Sequence, residues 1–583
     1  APATPPVFGP PPGASSGPHT PPGAWTPAYR SGPGTPPGGT RLDRLPGGRR
    51  VWLTAVIVTA LAVLAGVGVA IVQLVAGDKS SGATRTSNST GPSPGVVPQP
   101  RGGTVTVSIN ADSTAHDPFT ARYQAFGDGQ RMSALYDPLV VFTQATGKVA
   151  PHLAKSLTST PDGFTWSLQL RPGVRFTDGT PLDAEAVKFN WERHADPAVQ
   201  SAHANAVRGV TLRVVDPTRL DITLPAPDLT FDHLVADELA YIASPTAIRA
   251  DPAGFARHPV GAGPFKLESW TTGEKQVFVR NPDYWQGPDK PYLDSVVFAV
   301  NAEQPVAPVI GGTADVNFQS ANHDLQQARS ASLELVPTVN TGGVMLGFNS
   351  ASAPFDDARA RKAVALALDA SALARDSGAG ATPTRSIVPP ESPLRAGNPP
   401  MQPAPDHARA QALFDQLAAA GKPLSFTVMC GPGEQRTMQA IQTQLSGFRN
   451  VTMRYEVAEA ARFADAVGKR QFQAMWGYEA GADLDTWLFA ISRGGYSGNY
   501  LGYRNPAVDA GWDAVRAATT PEAKASAYNA ILRGLNDDPA WWLYAQISVF
   551  AVQRKDALTG LDGAYADGLL RWDRVGKKEQ GKK

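Results

Sequence analysis

One stretch of the chain, residues 476 to 488, combines the side chains best suited to holding a small charged solute. It contains three carboxylates, those of Glu479, Asp483 and Asp485. A buried ammonium group needs a paired carboxylate to offset the loss of its hydration. Residue types alone leave open whether these carboxylates meet a cationic solute or are exposed loop acids.

Aromatic side chains lie in and just after the same stretch: Trp476, Tyr478, Trp487 and Tyr500. Such rings offer a large contact area, lose little rotamer freedom on binding, and in Tyr and Trp carry a polar tip. They predict an aromatic wall for the pocket. The alternative is that two of the four belong to the core, which we expect of Trp487.

Signatures of catalysis are missing from the sequence after residue 101. It contains no nucleophile elbow, no helical pair of metal-binding histidines and no phosphate loop. The histidines are scattered, and the single cysteine, Cys430, excludes a disulfide or a thiolate cluster within the chain. We therefore predict no catalytic residue, no metal and no cofactor. A formal net charge of +1 with evenly scattered charges supplies no basic stripe for nucleic acid.

The N-terminal part of the chain predicts a membrane anchor between two flexible segments. Residues 1–50 are rich in Pro and Gly and should be disordered, and residues 77–101 should form a flexible linker. Residues 51–76 carry no charge, and a helix of this length crosses roughly 30 Å of hydrocarbon. A secretory signal peptide is the alternative, but its apolar core is only about 7–15 residues long. Arginines before the span place the N-terminus in the cytoplasm and the rest outside.

The remainder of the chain alternates between strand and helix patterns, which indicates an α/β or α+β fold with several lobes. Residues 104–109 and 164–170 alternate apolar and polar side chains, as strands with one buried face do. Asp183, Asp356 and Asp406 each stand where an N-cap begins a helix.

Ordered motifs run through this region: LRPGVRF at 170–176, DGTPLDAEAV at 178–187, PVGAGPF at 259–265, RNPDYW at 280–285 and NYLGYRNPAVD at 499–509. Each motif alone has a structural explanation, because Gly, Pro and Asn punctuate turns. Together and in this order, they resemble the large solute-binding proteins of ABC importers for peptides, nickel and related solutes, known as family 5.

The resemblance implies an α/β, two-lobed periplasmic-binding-protein-like fold of type II, with an extra subdomain and one transmembrane helix before it. Lobe I would take residues 102–345, with the subdomain at about 146–256, and residues 545–572 would return to it. Residues 346–544 would form lobe II, and the basic residues 573–583 a solvated tail. Such lobes close over a solute by a hinge motion.

The resemblance also implies which residues meet the solute. In peptide binders of the family, an acidic residue in the segment equivalent to 476–488 meets the amino end of the ligand, but here that position is Ala480. Glu479, one position away with a longer side chain, is the candidate replacement, and the alternative is an exposed loop acid. Asp483 matches a later acidic position of the segment.

Tyr136 resembles part of the family's cleft edge on lobe I, and Asn499 and Tyr500 are the corresponding candidates on lobe II. The complete predicted set of ligand-binding residues is Tyr136, Trp476, Tyr478, Glu479, Asp483, Asn499 and Tyr500.

We therefore expect a membrane-anchored, extracytoplasmic binding component of an ABC importer, which captures a peptide or peptide-like solute and delivers it to permease subunits. One alternative is a ligand-sensing receptor that keeps the fold and docks an intracellular partner through residues 1–50. A hydrolase with an unrecognised site is the third hypothesis.

Overall fold

The computed structural model describes most of the chain after residue 100. The described residues are 101–121, 128–143, 147–201, 203–319, 322–338, 341–376, 382–387, 400–481, 483–496, 498–546, 549–555, 557–561 and 569–578. The predicted disordered segment, membrane span and linker lie outside them, apart from Arg101. Among the residues described, no helix has both the length and the apolar composition that crossing a bilayer requires.

Strands and helices alternate along the described chain. The strands are β1 (Thr104–Ile109), β2 (Val140–Thr143), β3 (Lys148–Pro151), β4 (Ala154–Ser159), β5 (Thr165–Leu170), β6 (Thr211–Asp216), β7 (Arg219–Thr223), β8 (Phe265–Thr271), β9 (Lys275–Arg280), β10 (Ser295–Val300), β11 (Val316–Gln319), β12 (Glu334–Thr338), β13 (Thr341–Phe348), β14 (Thr382–Pro383), β15 (Leu424–Cys430), β16 (Val451–Val457), β17 (Ala474–Gly481), β18 (Trp541–Gln546), β19 (Val549–Gln553), β20 (Leu558–Thr559) and β21 (Gly576–Lys577). The helices are α1 (Gly129–Leu135), α2 (Ala184–Ala195), α3 (Phe231–Glu238), α4 (Pro245–Ala250), α5 (Ala307–Ile310), α6 (Asn322–Ser330), α7 (Ala358–Ala367), α8 (Ala370–Asp376), α9 (His407–Ala419), α10 (Gln435–Ser446), α11 (Ala460–Gly468), α12 (Leu484–Ser492), α13 (Pro506–Arg516) and α14 (Pro521–Asp537).

The first large sheet has seven strands in the order β12-β19-β11-β1-β10-β9-β8, and we call it, with its packed helices, lobe I. The central strand β1 pairs in parallel with β10 and β11. Val105 and Val107 of β1 are fully buried, because alternate side chains of a strand point to the same face. The strand predicted at residues 104–109 is thereby confirmed.

The C-terminal end packs on lobe I instead of forming the solvated tail that its charges suggested. Trp572 and Val575 are fully buried, and β21 pairs with β20. Nζ of Lys577 lies 2.9 Å from Oδ2 of the buried Asp315. The lysine therefore neutralises a buried carboxylate, which a run of lysines in the sequence does not reveal. Residues 579–583 lie outside the described part of the chain.

The second large sheet has six strands in the order β14-β18-β13-β17-β15-β16, and we call it, with its helices, lobe II. β15 pairs in parallel with both β16 and β17, whereas β13 is antiparallel to β17 and β18. Large buried aromatic side chains, Trp512, Trp542, Tyr503 and Phe355, belong to its core. This core is distinct from the one beneath the lobe I sheet.

Two of the three predicted helix caps are confirmed, and the third moves by one residue. Asp183 accepts a hydrogen bond from the amide of Ala186, and Asp406 caps α9 in the same way. The cap of α7 is Asp357 rather than Asp356. Asp357 has extended backbone angles and accepts from the amide of Arg359 at 2.9 Å, so the helix begins one residue later than predicted.

A smaller antiparallel sheet of four strands, β4-β5-β7-β6, forms a subdomain together with α2 and α3. Trp166, Leu168 and Leu170 of β5 face its core, as the predicted alternation requires. Phe164, predicted on the same face, lies before the first residue of the strand and is exposed. Trp191 of α2 is fully buried there, and its Nε1 donates to the carbonyl of Leu239 at 3.3 Å.

Several motif residues meet at one buried carboxylate, that of Asp137. Its Oδ1 lies 2.7 Å from Nε2 of His152, and its Oδ2 accepts from Tyr284 Oη and Trp285 Nε1, each at 2.8 Å. Because Tyr284 and Trp285 end the RNPDYW motif, this motif holds the subdomain against lobe I. In the described structure this motif has a structural role, which is the explanation that the sequence allowed for each motif taken by itself.

Two crossing segments join the large sheets, one between β12 and β13 and the other between β18 and β19. β13 therefore starts, and β18 ends, on the side of lobe II that faces lobe I. Because β17 is antiparallel to β13, the carboxyl ends of β15, β16 and β17 lie on that side. The same reasoning places the carboxyl ends of β1, β10 and β11 on the side of lobe I that faces lobe II.

Replacing Trp191 by alanine should lower the free energy of unfolding by about 3–5 kcal/mol, because the substitution opens a large cavity in the subdomain core. The matched control is Phe164→Ala, since the Phe164 side chain is 42% exposed and its loss should change stability by about 0.5 kcal/mol or less. Urea denaturation followed by circular dichroism measures both. Equal losses in the two variants would contradict this account of the core.

Candidate functional site

Polar side chains follow the parallel strands at the lobe I edge. Asp112, which comes after β1, accepts from Gln276 Nε2 at 2.7 Å and from Trp270 Nε1 at 3.1 Å. Asn301 follows β10 and donates to Ser108 Oγ at 3.0 Å. In open α/β sheets, ligands bind beside the carboxyl ends of the strands. This edge therefore offers fixed amide and carboxylate groups to anything held between the lobes.

At the lobe II edge, β17 leads directly into α12, whose N-cap is Asp483. The Asp483 side chain accepts from the amide of Asp485 at 3.0 Å, which satisfies one of the unpaired amides of the first helical turn. The chain fold thus places two carboxylates at the start of α12, pointing toward the subdomain.

The subdomain meets these carboxylates with His233 of α3. Nδ1 of His233 hydrogen-bonds Oδ2 of Asp483 and lies 3.4 Å from Oδ2 of Asp485. From α14, Lys524 brings its Nζ to 2.6 Å from Asp485 Oδ2, and Tyr528 donates its hydroxyl to Asp485 Oδ1. All five side chains are buried or nearly so. We call them the contact cluster, because they join the subdomain to lobe II.

In the contact cluster, burial favours the neutral form of each ionisable group, and close opposite charges favour the charged form. Burial alone would lower the pKa of His233, but Asp483 and Asp485 outweigh it and raise the pKa to about 9. Although burial disfavours their charged forms, the pKa of Asp483 is lowered by His233 and that of Lys524 is raised by Asp485. Burial and the neighbouring Glu238 raise the pKa of Asp237 to about 7. At neutral pH the contact is therefore a network of buried opposite charges.

His233, Asp483 and Asp485 offer ligand atoms within 4.8 Å of one another, as a cation site would. The ammonium of Lys524 already lies 2.6 Å from Asp485 and 3.3 Å from Nε2 of His233. A metal ion would have to displace this positive charge. The arrangement therefore favours an ion-pair network over a metal centre.

A second link joins the same two parts of the molecule. Arg516 of α13 forms an ion pair with Asp228, and its carbonyl accepts from the amide of Leu229 at 2.8 Å. The guanidinium also lies over the Phe489 ring, 4.1 Å from its centroid. Such a cation–π contact adds attraction without a further charge. The contact between the subdomain and lobe II is thus held by charge, backbone and ring interactions together.

A cavity of about 530 Å³ lies beside this contact, between the subdomain and lobe II. Its size is that of a small-molecule pocket. The residues that line it include Arg208, Glu238, Thr486, Phe489, Arg493 and Tyr496.

The structure places the predicted ligand-binding residues in three different settings. Asp483 is at the contact cluster. Tyr136 is buried in the lobe I core, where its hydroxyl donates to the carbonyl of His116 at 2.6 Å. Trp476 is buried in the lobe II core, where its Nε1 donates to Tyr544 Oη at 2.7 Å.

The other predicted residues lie in lobe II. Asn499 is buried and donates to the carbonyls of Arg493 and Tyr503, so it holds its own loop together. Tyr500 is partly buried against the core, and so is Trp487, for which a core position was expected. Tyr478 and Glu479 lie on β17, and their side chains are outside the described part.

Sequence reasoning missed His233, Lys524, Arg516 and Asp228 as contact residues. His233 and Asp483 are 250 positions apart, and Arg516 and Asp228 are 288 apart. No local spacing links such pairs, because only the tertiary fold brings them together.

Replacing His233 by glutamine should remove part of the pH dependence of stability. Because the pKa of His233 rises from its ordinary 6.5 to about 9, its contribution is complete below pH 6.5 and is lost as the pH rises through 9. We expect a difference of about 3 kcal/mol between wild type and variant at low pH that vanishes near pH 10. Urea midpoints between pH 6 and 10 measure it.

The matched control is His258→Gln, at an exposed histidine. Asp232 and Asp237 face the same contact, but they titrate in the wild type and in His233→Gln alike. The difference between these two proteins therefore isolates the effect of His233. Identical pH profiles for the two glutamine variants would refute the assigned role.

Comparisons with known proteins give the family and the fold. The family model "Bacterial extracellular solute-binding proteins, family 5 Middle" matches residues 148–500. The glutathione-binding protein GsiB of Shigella flexneri is 28% identical over 378 residues, which cover 63% of this chain and 72% of that protein.

Among solved structures, AgaA of A. tumefaciens R10 in complex with agropinic acid superposes with a TM-score of 0.69 at 21% identity, covering 82% of this chain and 99% of AgaA. Haemophilus influenzae OppA in complex with the peptide RPPGFSPFR gives 0.68 at 19% identity, covering 82% and 100%. These likenesses confirm the two-lobed α/β fold that the motifs predicted. Since the family model spans more than half of the sequence, the chain belongs to family 5 of the bacterial extracellular solute-binding proteins.

Proposed function

We propose that this chain is the membrane-anchored, extracytoplasmic binding component of an ABC import system, and that it carries a peptide or peptide-like solute between its two lobes to permease subunits. The observation that carries the proposal is that the carboxyl ends of the parallel-paired strands of both lobes lie on the sides that face each other. A solute held there is covered from both sides when the lobes close.

The contact cluster supports the proposal, because it gives the closed arrangement its own stabilisation. His233 neutralises Asp483 only while the subdomain touches lobe II, whereas Lys524, which belongs to lobe II itself, stays paired with Asp485. When the lobes open, these groups return to water and regain their hydration, so the net free energy of the contact is modest. Solute binding then shifts the balance between open and closed forms.

Peptide as the solute class is supported by two similar proteins, one named for binding glutathione and one solved in complex with the peptide RPPGFSPFR. The aromatic and acidic residues of β17 and α12 fit the same class. Ala480 replaces the acid that usually meets a peptide's amino end, so the amine contact must come from another group.

A thermal-shift panel tests the proposal directly. We expect glutathione or trialanine to raise the melting temperature of the full chain in a saturable way, by an amount equivalent to about 2.7 kcal/mol at one hundred times Kd. A nickel–histidine chelate and a sugar are run beside them. If none of the four solutes stabilises the chain, the proposed binding function fails.

Membrane attachment is tested by washing membranes with alkaline carbonate. The full chain should remain with the membrane, because residues 51–76 are uncharged and long enough to span it. The variant with Leu61→Arg and Leu64→Arg should be released, since each arginine near the centre of a span costs about 2.5–3.5 kcal/mol. Replacing the same leucines by alanine is the control. Release of the unmodified chain by carbonate would refute the anchor.

A further inference from the structure

Glu434 is a buried acid of lobe II that has no counter-charge among the described residues. It ends the short turn Pro432–Glu434 between β15 and α10. Its side chain is only 3% exposed, its Oε1 has no hydrogen-bond partner in the described structure, and it forms no ion pair there. Buried acids are normally paired, because an isolated carboxylate loses its hydration without compensation.

The groups that interact with Glu434 are the uncharged side chains of Thr437, Cys430 and Tyr544. Burial raises the pKa of Glu434 to about 8, and a hydrogen bond with Thr437 opposes the shift only in part. Burial and the nearby Glu434 charge also raise the pKa of Cys430 to about 12 and that of Tyr544 well above its usual value. Tyr544 in turn accepts from Trp476 Nε1. No positive group in the described part of the chain offsets the charge of Glu434.

The position of Glu434 connects it with the cleft. β15 ends at Cys430, whereas its parallel neighbour β17 continues to Gly481 at the edge that faces lobe I. Glu434 lies in the turn that follows β15, beyond its carboxyl end. Ligands of open α/β sheets bind on this side of the strands.

We propose that Glu434 is the recognition group for a solute that carries an ammonium, such as the free amino end of a peptide or of an amino-acid derivative. The inference rests on the proposed binding function and narrows it to cationic or zwitterionic solutes. On binding, the carboxyl group gives its proton to water, and the resulting carboxylate pairs with the ammonium. A charge-assisted hydrogen bond then replaces the hydration of the carboxylate and of the ammonium.

Glu434→Gln tests the inference, because it keeps the shape of the side chain and removes its charge. We expect the affinity of the full chain for trialanine or glutathione, measured by isothermal titration calorimetry, to fall by about 30-fold or more. N-acetylating these solutes should weaken binding to wild type by a similar factor and should matter little to the variant. Glu456→Gln, at a half-exposed glutamate of the same lobe, is the matched control and should bind as wild type does.

Proton release provides a second measurement. At pH 7 the wild type should release about one proton on binding trialanine, seen as a dependence of the heat on the buffer, and Glu434→Gln should release none. The variant Glu479→Gln tests whether the acid on β17, rather than Glu434, pairs with the ammonium of the solute.

Three results with the ammonium-bearing solutes overturn the inference. They are equal affinity for acetylated and free solutes, wild-type binding by Glu434→Gln, and loss of binding in Glu479→Gln alone. Binding of only an uncharged sugar also overturns it, while the binding function stands. If no solute of the panel binds, the proposed function fails as well.

Discussion

The two crossing segments between the large sheets constrain the rest of this structure. Since β13 begins and β18 ends at the crossings, the direction of every other strand in lobe II follows from its pairing with them. The same holds in lobe I, where β12 ends and β19 begins at the crossings. The carboxyl ends of six parallel-paired strands, β1, β10, β11, β15, β16 and β17, must therefore face each other. A two-sided cleft is the consequence of this connectivity.

Buried charge then determines how the parts around the cleft meet. In the contact cluster, the carboxylates of α12 have two cationic partners supplied by different parts of the chain, His233 from the subdomain and Lys524 from lobe II. Removing either partner would leave a buried carboxylate without compensation, which is far costlier than the net gain of the pair. Glu434 shows the opposite case, a buried acid for which the described chain provides no cation. The first arrangement joins the subdomain to lobe II, and the second is the basis for the proposed recognition of an ammonium.

The motifs that identified the family have mainly structural roles. Gly173 and Gly179 have φ angles of 79° and 82°, which side chains with a Cβ seldom adopt, and Asp183 caps α2. Tyr284 and Trp285 donate to Asp137. These residues are recognisable because turns, caps and buried carboxylates each restrict the residue type at one position. They carry no information about the solute.

The sequence by itself determined the alternating strands, two of three helix caps, the α/β class and the family. These features depend on local periodicity, on turn chemistry or on motifs within a few residues of each other. Only the tertiary structure decided that Lys577 neutralises Asp315, that Trp476 and Tyr136 are buried in separate cores, and that His233 meets Asp483. The two ion pairs join positions hundreds of residues apart. Their free energy, like the placement of the two aromatic side chains, depends on burial. Burial is a property of the packed lobes, which no local pattern encodes.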